Sequence, residues 1–424
     1  SSDLIGIWGF NLISPFNLFY ILFPLTQFKW AVFLTIWLRY GAMGLSFAYL
    51  LVKRYKALSY NPWLVPLMAT AYALSGMIVS YQMNPIFYDA MIMLPLVIIS
   101  LEELIDGRKP FKYIIVLALT MLLHFYMGYM ICLFVALYTC YYAAPKLAEI
   151  GDWKIKITAF FKPVLRVICY SILAITSVFF LLYPIFLNLL RSKGAYDSPL
   201  TFSFALQINP FDILSKLMIG GFDNESSWSA GPNLPNIYVG ALALVGFFLY
   251  FVQAKAHKYS KVVAAFISLL FFVSIVNEFA NKIWHMGQNP AGFFYRFSWI
   301  LSFFMVLLAY QALRERKYLG WKGLIVGIIL SFASAYYVIS HDYTYIAKKQ
   351  PKIVTDFVTS HEAFILLLVF VFFAGLAVYA WKRLDQYKEA RLCAIAASLL
   401  AIPVSLYLLN KGLLLTQVCL TLLT

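Results

Sequence analysis

The chain has 424 residues, of which 63% are hydrophobic and 12% charged, and its mean hydropathy is +0.81. Soluble domains average about half apolar and a quarter charged, so a soluble fold is excluded and a polytopic membrane protein indicated. The net charge of +15 does not mark a nucleic-acid binder, because the basic residues lie in short loops between apolar runs, where they set orientation.

In chain order, Ser1 to Pro24 is apolar and aromatic but interrupted at Ser14-Pro15 and Pro24. It reads as an interfacial or re-entrant element. Runs approaching the ~20 residues of a spanning helix follow at 29–52, 62–80, 90–104, 163–190, 238–253, 262–279, 294–312, 323–340, 362–382 and 393–410. The run 112–144 is too long for one span and too short for two, with a polar, Gly-containing break at His124 to Gly128. It predicts a pair of shortened helices whose turn lies inside the outer half of the membrane, which only surrounding protein or a water-filled cavity makes tolerable.

Most of the 33 basic residues fall in alternate loops, among them Lys53 to Lys56, Arg108 to Lys112, Lys146 to Arg166, Lys255 to Lys261, Arg314 to Lys322 and Lys382 to Arg391. By the positive-inside rule these loops are cytoplasmic, and about 12 passes result if the short pair counts as two. The expected organisation is an outward segment 1–28, a transmembrane domain 29–410 with outward loops 81–89, 191–237, 281–295 and 341–361, and an apolar tail 411–424. Both ends read as cut.

The unusual chemistry gathers on the outward side. Asp89 lies between two apolar runs in Ser80 to Pro95. An acid in that position is a functional candidate, against the blander reading of a helix cap solvated at the membrane surface. It suits a general base toward a hydroxyl or a ligand to a divalent cation. Arg191 and Arg296 stand at outer helix ends, where a planar fork fits a phosphate and where long cations also snorkel to the interface. His124 and His285 fall in outward turns, as site residues or as polar caps. The five cysteines have no paired spacing, so neither a disulfide framework nor a metal site is indicated. There is no P-loop, dinucleotide fingerprint, HExxH or nucleophile elbow.

Several stretches, taken in order, resemble the bacterial YfhO family of membrane proteins. They are Leu12 to Pro24 (LISPFNLFYILFP), Ala73 to Gly76 with Phe87-Tyr88-Asp89 and Leu94-Pro95, His124 to Met130 (HFYMGYM), Phe211 to Asp223 (FDILSKLMIGGFD), Pro235 to Gly240 (PNIYVG), and Trp284-His285 through Tyr295-Arg296-Phe297. The resemblance runs through most of residues 1–310. It implies an all-α, polytopic GT-C type glycosyltransferase that takes a sugar from a polyprenyl-phosphate-linked donor and works on the outer face of the bacterial cytoplasmic membrane. The acceptor it implies is an envelope polymer such as lipoteichoic acid. It matches Asp89 to the second of two outward acidic positions; the first belongs to a segment upstream of the SPFN motif, and Asp3 does not match it.

On this reading the substrate-binding set is His124, Tyr126, Arg191, Asp223, Asn236, Tyr238, His285, Tyr295 and Arg296, and a divalent cation is the one cofactor left open. A lipid-linked sugar transporter and a non-catalytic family member are the competing readings. Transporters tend to carry paired repeats with midplane charges, whereas here the charges gather at one face and no repeat is visible.

Overall fold

The computed structural model describes residues 13–55, 62–82, 84–148, 150–191, 204–217, 234–252, 256–287, 294–314 and 325. Over these residues it is all-helical, with no β-strand. Twelve α-helices follow one another among them: α1 (Phe28–Tyr55), α2 (Leu64–Ala73), α3 (Gly76–Ser80), α4 (Tyr88–Ile105), α5 (Phe111–Leu123), α6 (Phe125–Ala148), α7 (Trp153–Ser177), α8 (Phe179–Arg191), α9 (Ala241–Val252), α10 (Lys258–Val276), α11 (Glu278–Trp284) and α12 (Ser298–Leu313). Among the described residues, five stretches are long and apolar enough to cross a membrane: Leu25–Tyr55, Pro85–Ile105, Phe125–Leu147, Ile157–Ser177 and Lys258–Val276. Apart from residue 325, the expected spans at 323–340, 362–382 and 393–410 lie outside the described residues, as do the loop 341–361 and the tail 411–424.

The helices differ from the apolar runs where a local contact interrupts the ladder. The run 62–80 is split at Leu74-Ser75, because the backbone N–H of Gly76 donates to the carbonyl of Tyr238 at 2.6 Å. A side chain there would meet the Tyr238 backbone N at 3.2 Å, so the close approach of PNIYVG needs a glycine. The run 112–144 is not a pair of shortened helices: α5 has 13 residues but α6 has 24, a full span. The break is one residue, His124, in extended conformation (φ −159°, ψ 93°). Gly128 then lets α6 fold back tightly on α5, since a Cβ there would lie 2.6 Å from the Met121 Sδ. The run 163–190 becomes α7 and α8, and α7 begins well before the apolar run, at Trp153, behind an Asp152 cap that accepts from the Lys154 N–H at 2.8 Å.

Two compact units result, and each has its own packing. The first comprises Ser1–Ser59, Tyr81–Ala205 and His257–Pro290. In it α1 packs on α4, α4 on α5, α6 and α7, and α6 on α10, while the 3-10 helix Pro15–Leu22 lies along α1. Helices α1 and α4 run parallel, since Arg39 pairs with Asp89 and Arg54, further along both, pairs with Glu102. The Arg54 end is densely partnered. Arg54 reaches Glu102 Oε1 at 2.9 Å, Tyr138 donates to the same oxygen at 2.6 Å, and the guanidinium lies against the rings of Tyr55, Tyr138 and Tyr142. Glu103 gathers Lys53, Arg108 and Lys112, and Asp106 gathers Lys146 and Tyr142.

The second unit comprises Tyr60–Ser80, Leu206–Ala256 and Ala291–Thr424. Here α12 packs on α9, α2 and α3 and is buried almost all round, as its uniformly apolar sequence requires. Gly246 brings α9 against Ala309 of α12, where a Cβ would sit 2.9 Å from the alanine methyl. Small residues at such crossings replace the hydrophobic drive that lipid removes.

Candidate functional site

Asp89 falls in the first turn of α4, just after the 3-10 turn Pro85–Phe87. The cap reading does not hold: the N-cap position is Phe87, no side chain caps the terminus, and Asp89 is 3% exposed. Its Oδ1 lies 3.6 Å from the Nε of Arg39, itself 1% exposed on the buried face of α1. The Arg39 Nη2 donates to Ser14 Oγ at 2.9 Å and makes a longer contact of 3.4 Å with Asn17 Oδ1. Phe16 lies under the guanidinium, 5.2 Å from ring centre to Cζ. The stretch Ser14-Pro15-Phe16-Asn17, which the sequence marks as a helix breaker, is therefore a seat for a buried arginine. Pro15 opens the 3-10 helix, and the Asn17 N–H donates to the Ser14 carbonyl at 3.0 Å, so both side-chain acceptors face one way. Beside the ion pair the hydroxyls of Tyr40 and Tyr88 meet at 3.1 Å.

His124 is fully buried and does the work of a cap: its Nδ1 accepts from the Met127 N–H at 3.2 Å and its ring lies 5.6 Å from that of Phe87. An accepting Nδ1 places the proton of the neutral ring on Nε2. Tyr126 and His285 are brought together, the phenol oxygen 2.6 Å from Nδ1 and the rings stacked at 6.2 Å. Tyr129 also donates to the Ile283 carbonyl at 2.8 Å, so α6 docks the turn that follows α11. That turn is firmly held: Asn277 caps α11, and Trp284 stacks on Phe271 at 5.1 Å and donates to Ser274 at 3.0 Å. Met286 and Gly287, both at positive φ, follow it.

In the second unit Asn236 donates to Ser80 Oγ at 3.0 Å and accepts from Lys216 Nζ at 3.2 Å, and all three are buried. Tyr238 holds the α2–α3 break through its backbone. Tyr295 is buried and Arg296 half-buried in the turn that leads into α12.

Thus Asp89, His124, Tyr126 and His285 belong to the first unit, and Asn236, Tyr238, Tyr295 and Arg296 to the second. The Arg191 side chain and Asp223 lie outside the described residues. Among the described residues no group of three or more His, Cys, Asp or Glu could hold a metal ion. The donor set at Asp89 does not fit a divalent cation either, because the neighbouring charge is already a cation. Sequence reasoning missed Arg39 and Lys216. Arg39 was signalled as the one charge in the interior of the apolar run 29–52, and Lys216 as the lone cation within FDILSKL.

No curated protein and no solved structure matches the chain. The model of the family described as bacterial membrane protein YfhO matches residues 2–417, a range that takes in every helix described above. With that match and a framework of apolar helices, the chain belongs to the YfhO family of bacterial membrane proteins.

Proposed function

We propose that this protein is a membrane glycosyltransferase that moves a sugar from a polyprenyl-phosphate-linked donor to an envelope polymer such as lipoteichoic acid, on the outer face of the bacterial cytoplasmic membrane. Family membership supports the class. The observation that carries the reading is Asp89, a carboxylate buried in an apolar helix bundle with an arginine for a partner, at the opposite end of α4 from the basic residues. In this reading the basic end is cytoplasmic, the chain makes about 12 passes, and the loops 81–89, 191–237 and 281–295 face outward.

The chemistry is inverting transfer. The acceptor hydroxyl, oriented by Asp89, attacks the anomeric carbon and gives up its proton to a carboxylate. The bond from that carbon to the phosphate oxygen breaks, and the lipid phosphate leaves with the electron pair. Arg191, in the same unit as Asp89, neutralises the charge that grows on the phosphate, the main electrostatic demand of the step. Tyr126 and His285, in the same unit as Asp89, supply hydroxyl and imidazole groups of the kind that hydrogen-bond a sugar.

The test is transfer of label from a polyprenyl-phosphate sugar by the full-length protein in liposomes. Asp89→Asn should lower the rate about 100-fold or more at unchanged membrane yield; undiminished transfer would overturn the assignment. The helix breaks at Leu74-Ser75 and His124 favour a second reading, a lipid-linked sugar transporter. Movement of the carrier across the vesicle bilayer without product would decide for it.

A further inference from the structure

We propose that Arg39 is a positioning residue for Asp89: it keeps the carboxylate charged and aimed at a depth where no water would do so, and the Ser14 to Asn17 stretch is the brace that holds it. This rests on the reading of Asp89 as the functional acid.

Four observations carry it. First, α1 buries a stripe through Ala31, Thr35, Arg39, Met43, Ser46 and Leu50, repeating every three or four residues, and Arg39 is the one charge on that stripe. Packing α1 on α4 does not need it, since the other members pack as apolar or small groups and Arg54 with Glu102 already tie the far ends.

Second, Arg39 is restrained on several sides. Its Nη2 is taken by Ser14 and Asn17 and its face by Phe16, which leaves Nε toward Asp89.

Third, Ser14 links brace and acid: its hydroxyl accepts from the Arg39 Nη2 at 2.9 Å and also hydrogen-bonds the Asp89 side chain, while Arg39 Nε stands 3.6 Å from Oδ1. Arginine, brace and acid thus form one connected set, unlike Arg54 and Glu102, which meet directly at 2.9 Å.

Fourth is depth. At 1.5 Å per residue, Arg39 stands about 22 Å along α1 from Arg54, and Asp89 about 20 Å along α4 from Glu102. With that basic end at one boundary of a hydrocarbon layer ~30 Å thick, Asp89 lies about 10 Å inside the other. The sequence alone places it only at the end of the outward loop 81–89. A carboxylate at this depth stays ionised only beside a fixed partner, and removing that partner makes protonation the cheaper outcome.

The experiment uses the full chain in liposomes with Arg39→Gln, Arg39→Lys, Asp89→Asn and the Arg39→Met/Asp89→Leu double variant. A hydrophobic carbodiimide, which reacts with protonated carboxyl groups, is the probe, and labelled peptides are identified by mass. The wild type should resist labelling at Asp89 at neutral pH. Arg39→Gln should be labelled there, and Arg39→Lys should restore most of the resistance. Turnover of Arg39→Gln should fall about 10-fold or more and recover as pH rises, with the donor KM unchanged. Equal labelling of wild type and Arg39→Gln overturns the proposal, and so does wild-type transfer by the double variant, which would make the pair structural only. Should Arg39→Gln fail to fold, Arg39→Met decides in its place: labelling at Asp89 upholds the proposal, and resistance equal to the wild type overturns it. Labelling needs no turnover, so a protein that transfers no sugar yet shows the labelling pattern upholds Arg39 while removing the glycosyltransferase reading.

Discussion

At the scale of single residues, the acid was legible and its partner was not, for a physical reason. Asp89 stands between apolar runs where a charge has no cheap explanation, whereas Arg39 sits within a run whose flanking cations, Lys29 and Lys53, belong to the ordinary ends of a span. Counting cations by loop passes over the one that no loop claims. Tyr126 and His285 are 159 positions apart, and no local pattern joins them; only the docking of the α11 turn on α6 does. A hydrogen bond of 2.6 Å between two such groups contributes about 1 kcal/mol. Tyr126→Phe should therefore lower the thermal midpoint of the purified protein by a few degrees, and His285→Phe added to it should cost less than the two single changes together. Strict additivity in that cycle would show that the pair is not coupled.

At the scale of elements, the apolar runs located the helices and mistook their ends. A run reports which residues avoid water; it does not report where a backbone carbonyl from elsewhere, such as that of Tyr238, or a side chain such as His124, takes over a ladder bond. Glycines record these approaches, and they separate into testable classes. Gly246→Ala should destabilise by about 1–3 kcal/mol, because the methyl would meet Ala309, which has no rotamer to yield. Gly128→Ala should cost less, because the obstructing atom is the mobile Sδ of Met121. Gly41→Ala, with nothing within 4 Å in the middle of α1, should be neutral or stabilising, by up to about 1 kcal/mol from helix propensity. Thermal unfolding in detergent ranks the three, and a larger loss for Gly41→Ala than for Gly246→Ala would contradict the packing described for α9 and α12.

At the scale of the molecule, the class was readable from composition, and the all-helical framework agrees with it. What composition could not supply is the vertical coordinate of a charge, which requires knowing which helices lie side by side and in which sense. Orientation itself is open to a direct check. In a cysteine-free background, Arg108→Cys, at an exposed position, should react with an impermeant maleimide only from the cytoplasmic side, and Gln82→Cys, also exposed, only from outside. Modification of both from the same side would remove the topology on which the proposed active face depends.

The parallel pairing of α1 with α4 also fixes a length. Arg39 and Arg54 are 15 residues apart, and Asp89 and Glu102 are 13 apart, so two rungs at different heights must be satisfied at once. One residue inserted between the arginines would turn one of them about 100° away from its acid and strand that acid in hydrocarbon. Between those two positions the helix works as a gauge, and changes that alter its count of residues are closed to this protein even where changes of residue type are not.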